Sequence, residues 1–417
     1  MYRKETNIMQ IANGNNLSRV KVTNQSAIRQ MIYHDGPISR IEISEKLSLT
    51  LPTITTTVNF LLSKGLIKEV ENTKASEKAL GRKASLIDIE DDGGYFIGIE
   101  MRGALRRACI TDYRGKSLKT IADDTAYYDY DEAITQTCEL VKKLLRTSKI
   151  PKAKIAGIGL CLPGLVDRNE GILTVHPGYG WENKNVRSDL SRLLNYSGPI
   201  SIENNAGARA YGSYLFGHER MDNYQSFAYF LVSTGIACPL MYTHLSFHES
   251  IIGQGEVGHM IIDSSGPVCN CGNHGCLEAF SSERAIIANC IEAIHKGQAT
   301  ILSQLCNNTD APTIYEILQA QSEGDQTINT ILENAIFHLG IAIANIDNFV
   351  KPQCILIDSH LFQSQKNQEQ LMSVIHKNLY TATNMDTEFL FVEPNEFSGA
   401  EGAAAVAVQN DLKTFIE

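Results

Sequence analysis

The stretch Gly253–Ser282, GQGEVGHMIIDSSGPVCNCGNHGCLEAFSS, organises the reading of this chain. It places Cys269, Cys271 and Cys276 in a C-x-C-x4-C run, with His259 ten residues upstream. Thiolate and imidazole are the donors that a tetrahedral zinc ion selects, and four of them close a structural site. Turns at Gly266-Pro267, Gly272 and Gly275 let the three sulfurs converge. Two carboxylates bracket the donors: Glu256, three residues before His259, and Glu278, two after Cys276. On extended backbone Glu256 would stand one residue off the face of His259, so a bulge or turn must aim both inward. The spacing is also compatible with His274 as fourth donor, and with a cluster of buried free cysteines.

GEVGH at 255–259 followed by C-x-C-G-x-x-G-C-L-E at 269–278 resembles the ROK family, which contains bacterial sugar kinases and sugar-responsive transcriptional repressors. The resemblance implies zinc held by His259, Cys269, Cys271 and Cys276, and sugar hydroxyls contacted by Glu256, His259 and Glu278. It extends over nearly the whole chain.

A chain of 417 residues, 43% hydrophobic and 20% charged, is an ordinary globular composition with length for two to four domains. No run of about 18 apolar residues is evident, so membrane insertion is not expected. The opening MYRKETNIMQ lacks a signal-peptide apolar core. Ten cysteines, three of them at ligand spacing, fit a reducing cytosol better than a disulfide framework, which predicts a cytoplasmic protein. The net charge of −10 is unevenly spread. Residues 1–89 carry 13 Lys and Arg against 8 Asp and Glu, whereas the remainder carries 24 against 39. That asymmetry predicts a DNA-binding head on an acidic body.

The head reads as a winged helix-turn-helix over residues 1–90. Ala27, Ile28, Met31 and Ile32 fall at helical spacing in a helix from Thr23 to Tyr33, with Thr23 or Asn24 as N-cap. Ser39 caps a second helix. A third begins near Pro52 and buries Ile54, Val58, Leu61 and Leu62 before Gly65 ends it. Leu66 to Val70 and Ser85 to Ile89 form the two-stranded tail. The third helix is the groove reader in this geometry. Thr53, Thr55, Thr56 and Asn59 are its candidate DNA contacts, since hydroxyls, threonine methyls and an amide suit phosphates and base edges. The face carries no arginine. Positive charge comes from its flanks: Arg19, Lys21, Arg29, Arg40, Lys64, and Arg82 in the wing, where a minor-groove contact is expected. The alternative is a small helical protein-interaction domain. The runs Ile38–Ile43 and Pro52–Thr55 are similar to the winged helix of ROK repressors.

From Tyr95 the pattern becomes strands and helices in two halves, which predicts a two-lobed α/β body with a cleft. The resemblance implies an actin-like ATPase fold. Residues 91–200 form the first lobe, 201–395 the second, and a last helix within 396–417 packs back on the first. Thr313 to Glu316 is a capping box, and the apolar segment Thr327–Phe349 is expected to be a core helix.

A kinase on this fold needs amides that cradle phosphate, a metal-positioning acid and a base for the sugar hydroxyl. Family kinases carry D-x-G-G-T, where this chain has Glu100-Met101-Arg102-Gly103-Ala104. The G-T-G-I-G-G-G loop is replaced by Ser233 to Pro239, and the adenosine-side Gly-Gly by Ser359-His360. The E-N-D-A run, whose Asp is the base, reads Glu203-Asn204-Asn205-Ala206, and an amide cannot take up the proton. The P-N-x-G-W loop reads Pro177-Gly178-Tyr179-Gly180-Trp181, without its Asn. What remains is Asn204, Asn205, Glu256, His259 and Glu278, a set suited to a polyol; Glu256 and Glu278 could instead serve only as partners of the metal ligands.

The expectation is therefore a non-enzymatic, sugar-responsive regulator of carbohydrate-use genes, with Zn2+ as cofactor. Its expected partners are operator DNA, a sugar effector and a second copy of itself, in a homodimer or homotetramer. An ATP-dependent sugar kinase, or a repressor sequestered by a membrane sugar transporter, are the alternatives.

Overall fold

A computed structural model describes residues 17–71, 85–176, 178–217, 221, 223–243, 252–306, 308–380 and 386–416. The head opens with α1 (Leu17–Asp35). This helix starts earlier than expected, so Thr23 and Asn24 lie inside it rather than capping it. Its first turns leave Val20 and Val22 exposed, and a segment without a core face gives no apolar periodicity to read. β1 (Ile38–Ser39), α2 (Arg40–Leu47), α3 (Leu51–Ser63), β2 (Ile67–Val70) and β3 (Leu86–Ile89) follow. Ser39 Oγ accepts from Glu42 N while the Glu42 carboxylate accepts from Ser39 N, closing a capping box on α2. Ile54, Val58 and Leu61 of α3 are buried with Ile28, Ile32 and Ile43 in the same core. The wing pairs Ile67 with Ile89, and β1 adds a third strand with Ile38 opposite Ile87. Two residues are too few for alternation to reveal that strand.

The first lobe is a five-stranded sheet ordered β11-β7-β4-β5-β6. β4 (Tyr95–Arg102), β5 (Leu105–Thr111) and β6 (Ser117–Asp123) make the antiparallel meander. α4 (Tyr130–Ser148), capped by Asp129, leads to β7 (Ile155–Leu162), which runs parallel to β4. A small sheet of β8 (Leu165–Asp167), β9 (Ile172–His176) and β10 (Trp181–Lys184), then α5 (Val186–Leu194), precede β11 (Ile200–Asn204). The expected lobe boundary at Ser201 is corrected here. Ser201 lies within β11, which pairs in parallel with β7 and so belongs to the first sheet. A single buried strand does not announce which sheet it joins. The chain crosses to the other lobe through α6 (Asn205–Phe216).

The second sheet is ordered β13-β12-β15-β16, and β14 also pairs with β12, on the edge opposite β15. Its strands are β12 (Ser226–Val232), β13 (Ile236–Ala237), β14 (Leu240–Tyr242), β15 (Cys354–Asp358) and β16 (Glu388–Phe391). Between β14 and β15 come α7 (Leu277–Ser281), α8 (Glu283–His295), α9 (Leu302–Leu305), α10 (Ile314–Ser322) and α11 (Gln326–Val350); α12 (Gln365–Asn378) follows β15. The Thr313–Glu316 capping box is present on α10. Among the described residues α11 alone has the length and apolar composition to cross a membrane, and 56% of that apolar window is buried inside the fold. Leu332, Leu339 and Ile343 place it in the second-lobe core.

The last helix, α13 (Ser398–Lys413), returns to the first sheet. Its alanines lie directly on β4 and β7. A Cβ at Gly159 would fall 1.8 Å from Ala403 O, so the approach requires glycine at that point. α13 also receives the head. Arg29, expected as a flanking DNA contact, is 1% exposed and grips the end of α13 instead.

Candidate effector and metal site

The stretch Gly253–Ser282 folds into a loop held by its own backbone. Ile261 and Cys276 form an antiparallel bridge, as do Val268 and His274. Cys269 N donates to Asn273 O and Gly272 N to Cys269 O. Gly275 has φ +70°, and a Cβ there would meet Asp263 O at 1.5 Å, so this turn admits only glycine. The result brings one ligand atom each from His259, Cys269, Cys271 and Cys276 within 4.8 Å of one another. His259 Nδ1 lies 3.7 Å from Cys269 Sγ, and Cys271 Sγ 3.7 Å from Cys276 Sγ. His274 is exposed and outside this set. The four donors could hold a metal ion.

The turn that aims Glu256 and His259 is a single 3₁₀ turn over Val257–His259, with Glu256 just ahead of it. Burial raises the Glu256 carboxyl to about 7, and the charge of Glu278 adds to the rise. Glu278 stands in the first turn of α7. Its Oε1 accepts from Arg284 at 2.9 Å and its Oε2 from Ile236 N at 3.2 Å. Asn204 and Asn205 stand at the start of α6. Asn204 Oδ1 caps the helix by accepting from Gly207 N at 2.6 Å, and Asn205 Oδ1 accepts from Ala206 N at 3.1 Å. Both amide groups therefore keep N–H donors for a ligand. Among the described residues no direct hydrogen bond joins Asn204 or Asn205 to Glu256 or Glu278. Burial depresses the basicity of His176, on the first lobe, and the positive charge of Arg284 on α8 adds to the effect.

In the head, Thr56 and Asn59 are exposed, Thr53 and Thr55 half-buried. Thr53 Oγ1 lies 2.9 Å from Thr50 Oγ1. Arg40 reaches Asn59 Oδ1 at 3.4 Å and pairs with Glu69 at 3.0 Å, so a phosphate would have to compete with that carboxylate. Arg82 and Pro177 lie outside the described residues.

Residues 96–410 match the ROK family, and residues 25–68 match a winged helix-turn-helix DNA-binding domain. The chain belongs to the ROK family. It is 27% identical over 398 residues to the xylose repressor of Bacillus spizizenii, covering 94% of this chain and 97% of that protein. Identity to the DNA-binding transcriptional dual regulator NagC of Escherichia coli is 26% over 356 residues, 84% of each. Among solved structures, a ROK family transcriptional regulator described as a homologue of the E. coli MLC protein superposes with a TM-score of 0.78 at 22% identity, covering 94% of this chain and 97% of that one. A ROK glucokinase from Streptomyces griseus, in complex with glucose and AMPPNP, has the fold of the body alone: TM-score 0.63, 20% identity, 75% of this chain and 99% of that one.

At the positions that the resemblance to ROK kinases aligns with their phosphate loops, the side chains of this chain are engaged with one another. Glu100, fully buried, takes Arg209 Nη2 at 2.9 Å and stands 3.0 Å from Arg102 Nε. Burial opposes ionisation of Glu100, yet the two guanidinium groups prevail and hold its carboxyl below the usual range. Arg209 also reaches Asp358 at 3.6 Å, and Asp358 accepts from Tyr229 OH at 2.7 Å. Beside Gly103 the ring of Tyr179 leaves no room, because a Cβ there would meet it at 2.7 Å. In the second loop Ser233 N donates to Gly235 O, Thr234 N to Ser233 Oγ and Ile236 N to Glu278. These amides are committed to protein acceptors. His360 is held between Glu283 at 2.7 Å and Tyr315 at 3.1 Å. The roles of Arg209 and Asp358 escape sequence reasoning because their partners lie far away in the chain. The available signal was an arginine set among small residues in Asn205-Ala206-Gly207-Ala208-Arg209-Ala210.

Proposed function

We propose that this ROK protein is a transcriptional repressor of carbohydrate-use genes, with a sugar effector bound between the lobes beside a zinc-held loop. The observation that supports the reading is the four-donor cluster of His259, Cys269, Cys271 and Cys276, flanked in the chain by Glu256 and Glu278, together with an Asn205 that the resemblance aligns with the kinases' base. Carboxylates accept from sugar hydroxyls, and the asparagine amides donate to them. The names of its relatives, a xylose repressor and NagC, support this class of effector. The filled nucleotide side speaks against phosphoryl transfer, in which positioning and charge stabilisation do nearly all the work.

Zinc fits the donor set. Zn–S bonds of ~2.3 Å at tetrahedral angles give a sulfur–sulfur edge of ~3.8 Å, and Cys271 and Cys276 stand at 3.7 Å. Three thiolates and an imidazole select Zn2+ over the harder divalent ions. With Nδ1 of His259 toward Cys269, its Nε2 is left to donate to a sugar hydroxyl. The ion's contribution is to lock the loop that carries Glu256 and Glu278. Thr53, Thr55, Thr56, Asn59, Arg40 and Arg82 are the proposed DNA contacts, on paired heads of a homodimer or homotetramer in the cytoplasm. Sugar binding shifts the arrangement of lobes or subunits and so misplaces the heads.

The test is calorimetric titration with a sugar panel including xylose and N-acetylglucosamine, together with operator release. Glu256→Gln should weaken binding by roughly 1.5–3 kcal/mol, the worth of a charge-assisted hydrogen bond. A variant that binds sugar normally would move the site elsewhere. Sugar binding without operator release would point to control by another protein.

A further inference from the structure

Between β11 and the last turns of α13 lies a polar cavity of about 240 Å³. Arg168, Glu203, Tyr211, Gln409, Asn410 and Lys413 line it. On the same measure ~15 Å³ is enough for one water, so this cavity has room for a multi-atom solute. Two of its polar side chains are not satisfied by protein. Gln409 is 7% exposed, and its buried Oε1 has no hydrogen-bond partner among the described residues. An unpaired buried acceptor costs about 1–3 kcal/mol unless something donates to it. Lys413 makes no hydrogen bond or ion pair with any described residue, and burial alone depresses its amine to about 8. The other charges do not serve it. Glu203 is taken by Arg168 at 2.6 Å, and Asp167 Oδ1 accepts from Asn169 N and Glu170 N.

A ligand that satisfies both groups must bring a negative charge to Lys413 and a hydrogen-bond donor to Gln409 Oε1. We propose that this cavity is a second small-molecule site, separate from the zinc-side cleft, for a small anion that also carries a hydroxyl. A polyol phosphate and a sugar acid share that chemistry. The site sits on the last turns of α13. Between Gln409 and Lys413 on that helix stands Asp411, which holds Arg29 of the head. Occupancy is therefore felt where the head is fastened.

The experiment titrates the full chain with glycerol 3-phosphate and, separately, with glycerate, by calorimetry and thermal melting; the two arms distinguish the two sources of anion. At least one should bind with saturation and raise the melting temperature. Lys413→Met and Gln409→Leu should each weaken it by about tenfold or more, while Lys413→Arg keeps it and sugar binding is unchanged in all three. Without ligand, Lys413→Met should melt higher than wild type, because it removes a buried amine with no partner. A lysine serving only the fold would give the opposite sign. The proposal fails if neither anion saturates by about 10 mM, or if both variants bind as wild type does. It also fails if Glu256→Gln abolishes the binding, which would assign the anion to the sugar cleft.

Discussion

Arg29 of the head and Asp411 of α13 form a buried ion pair, with Nη2 to Oδ2 at 2.5 Å, across the junction between the DNA-binding unit and the body. Arg29 Nη1 also donates to Asp411 O at 2.6 Å and to Thr414 O at 3.1 Å, and Tyr113 OH donates to the same carboxylate at 2.7 Å. Around it, Tyr33 OH donates to Tyr113 O and Leu215 O, and Arg114 pairs with Asp88 at 2.6 Å. α13 packs along α6, whose first residue is Asn205. A packed path therefore runs from Asn205 at the start of α6 through α13 to the head.

Removing one partner of such a pair leaves an uncompensated buried charge. Arg29→Ala should therefore destabilise the docked head by ~3–5 kcal/mol. Arg29→Lys should recover only part of this, since an ammonium cannot reproduce the planar fork over the same acceptors. Calorimetry should show the head melting separately from the body in Arg29→Ala, and operator binding should lose its response to sugar. A single wild-type-like transition in that variant would refute the coupling role.

The head and the metal loop were the most legible parts of the sequence, because their signals are local. Ile54, Val58 and Leu61 repeat at helical spacing, and the cysteines and His259 lie within 18 residues of each other. What stayed hidden depends on pairing at a distance. Arg29 reads as a basic residue near a DNA helix, and only its partner 382 positions away makes it a structural tie. Arg209 and Asp358 are similarly silent, because nothing local to α6 or β15 shows that the lobes meet there. β11 carries the apolar alternation of a strand, but sheet membership is decided by the register with β7.

Stability should depend on pH through His360. Its hydrogen bond to Glu283 outweighs burial and raises the imidazole pKa above its ordinary value. The folded state thus holds the proton more tightly than the unfolded chain does. This contribution is fully present below the unfolded value of ~6.5 and is lost as pH rises through the raised folded value. His360→Gln should lower the melting temperature relative to wild type near pH ~5.5, with the gap closing by pH ~8.5. A gap of constant size across that range would exclude the ion pair as its source.

Cys271 separates metal loss from core damage, because it is the exposed member of the four donors. Cys271→Ser should reduce bound metal from one equivalent to near zero by elemental analysis, with little change in the second-lobe core. His259 and the turn carrying Glu256 would then be unanchored, and sugar affinity should fall with the metal. Stoichiometric metal retained in Cys271→Ser would show that the ion sits on another set.

The resemblance to ROK kinases aligns Asn205 with their base, and restoring a carboxylate there should not restore a kinase. Asn205→Asp would regain a proton acceptor at the start of α6, a contribution of ~10²–10⁴-fold when everything else is in place. The rest is not in place. Arg102 and Arg209 are occupied with Glu100, and the N–H groups of Ser233, Thr234 and Ile236 donate to protein acceptors, so neither the charge nor a full cradle for a triphosphate is available. Those two terms dominate phosphoryl transfer. A coupled assay on wild type and Asn205→Asp with ATP and the sugar panel should therefore show no turnover in either protein, while both bind sugar in calorimetry. Measurable phosphorylation by wild type would overturn the regulator reading. Turnover appearing only in Asn205→Asp would mean that the Arg209 cluster opens readily enough to admit nucleotide, and the Glu100–Arg209 pair would then be a gate rather than a fixed filling.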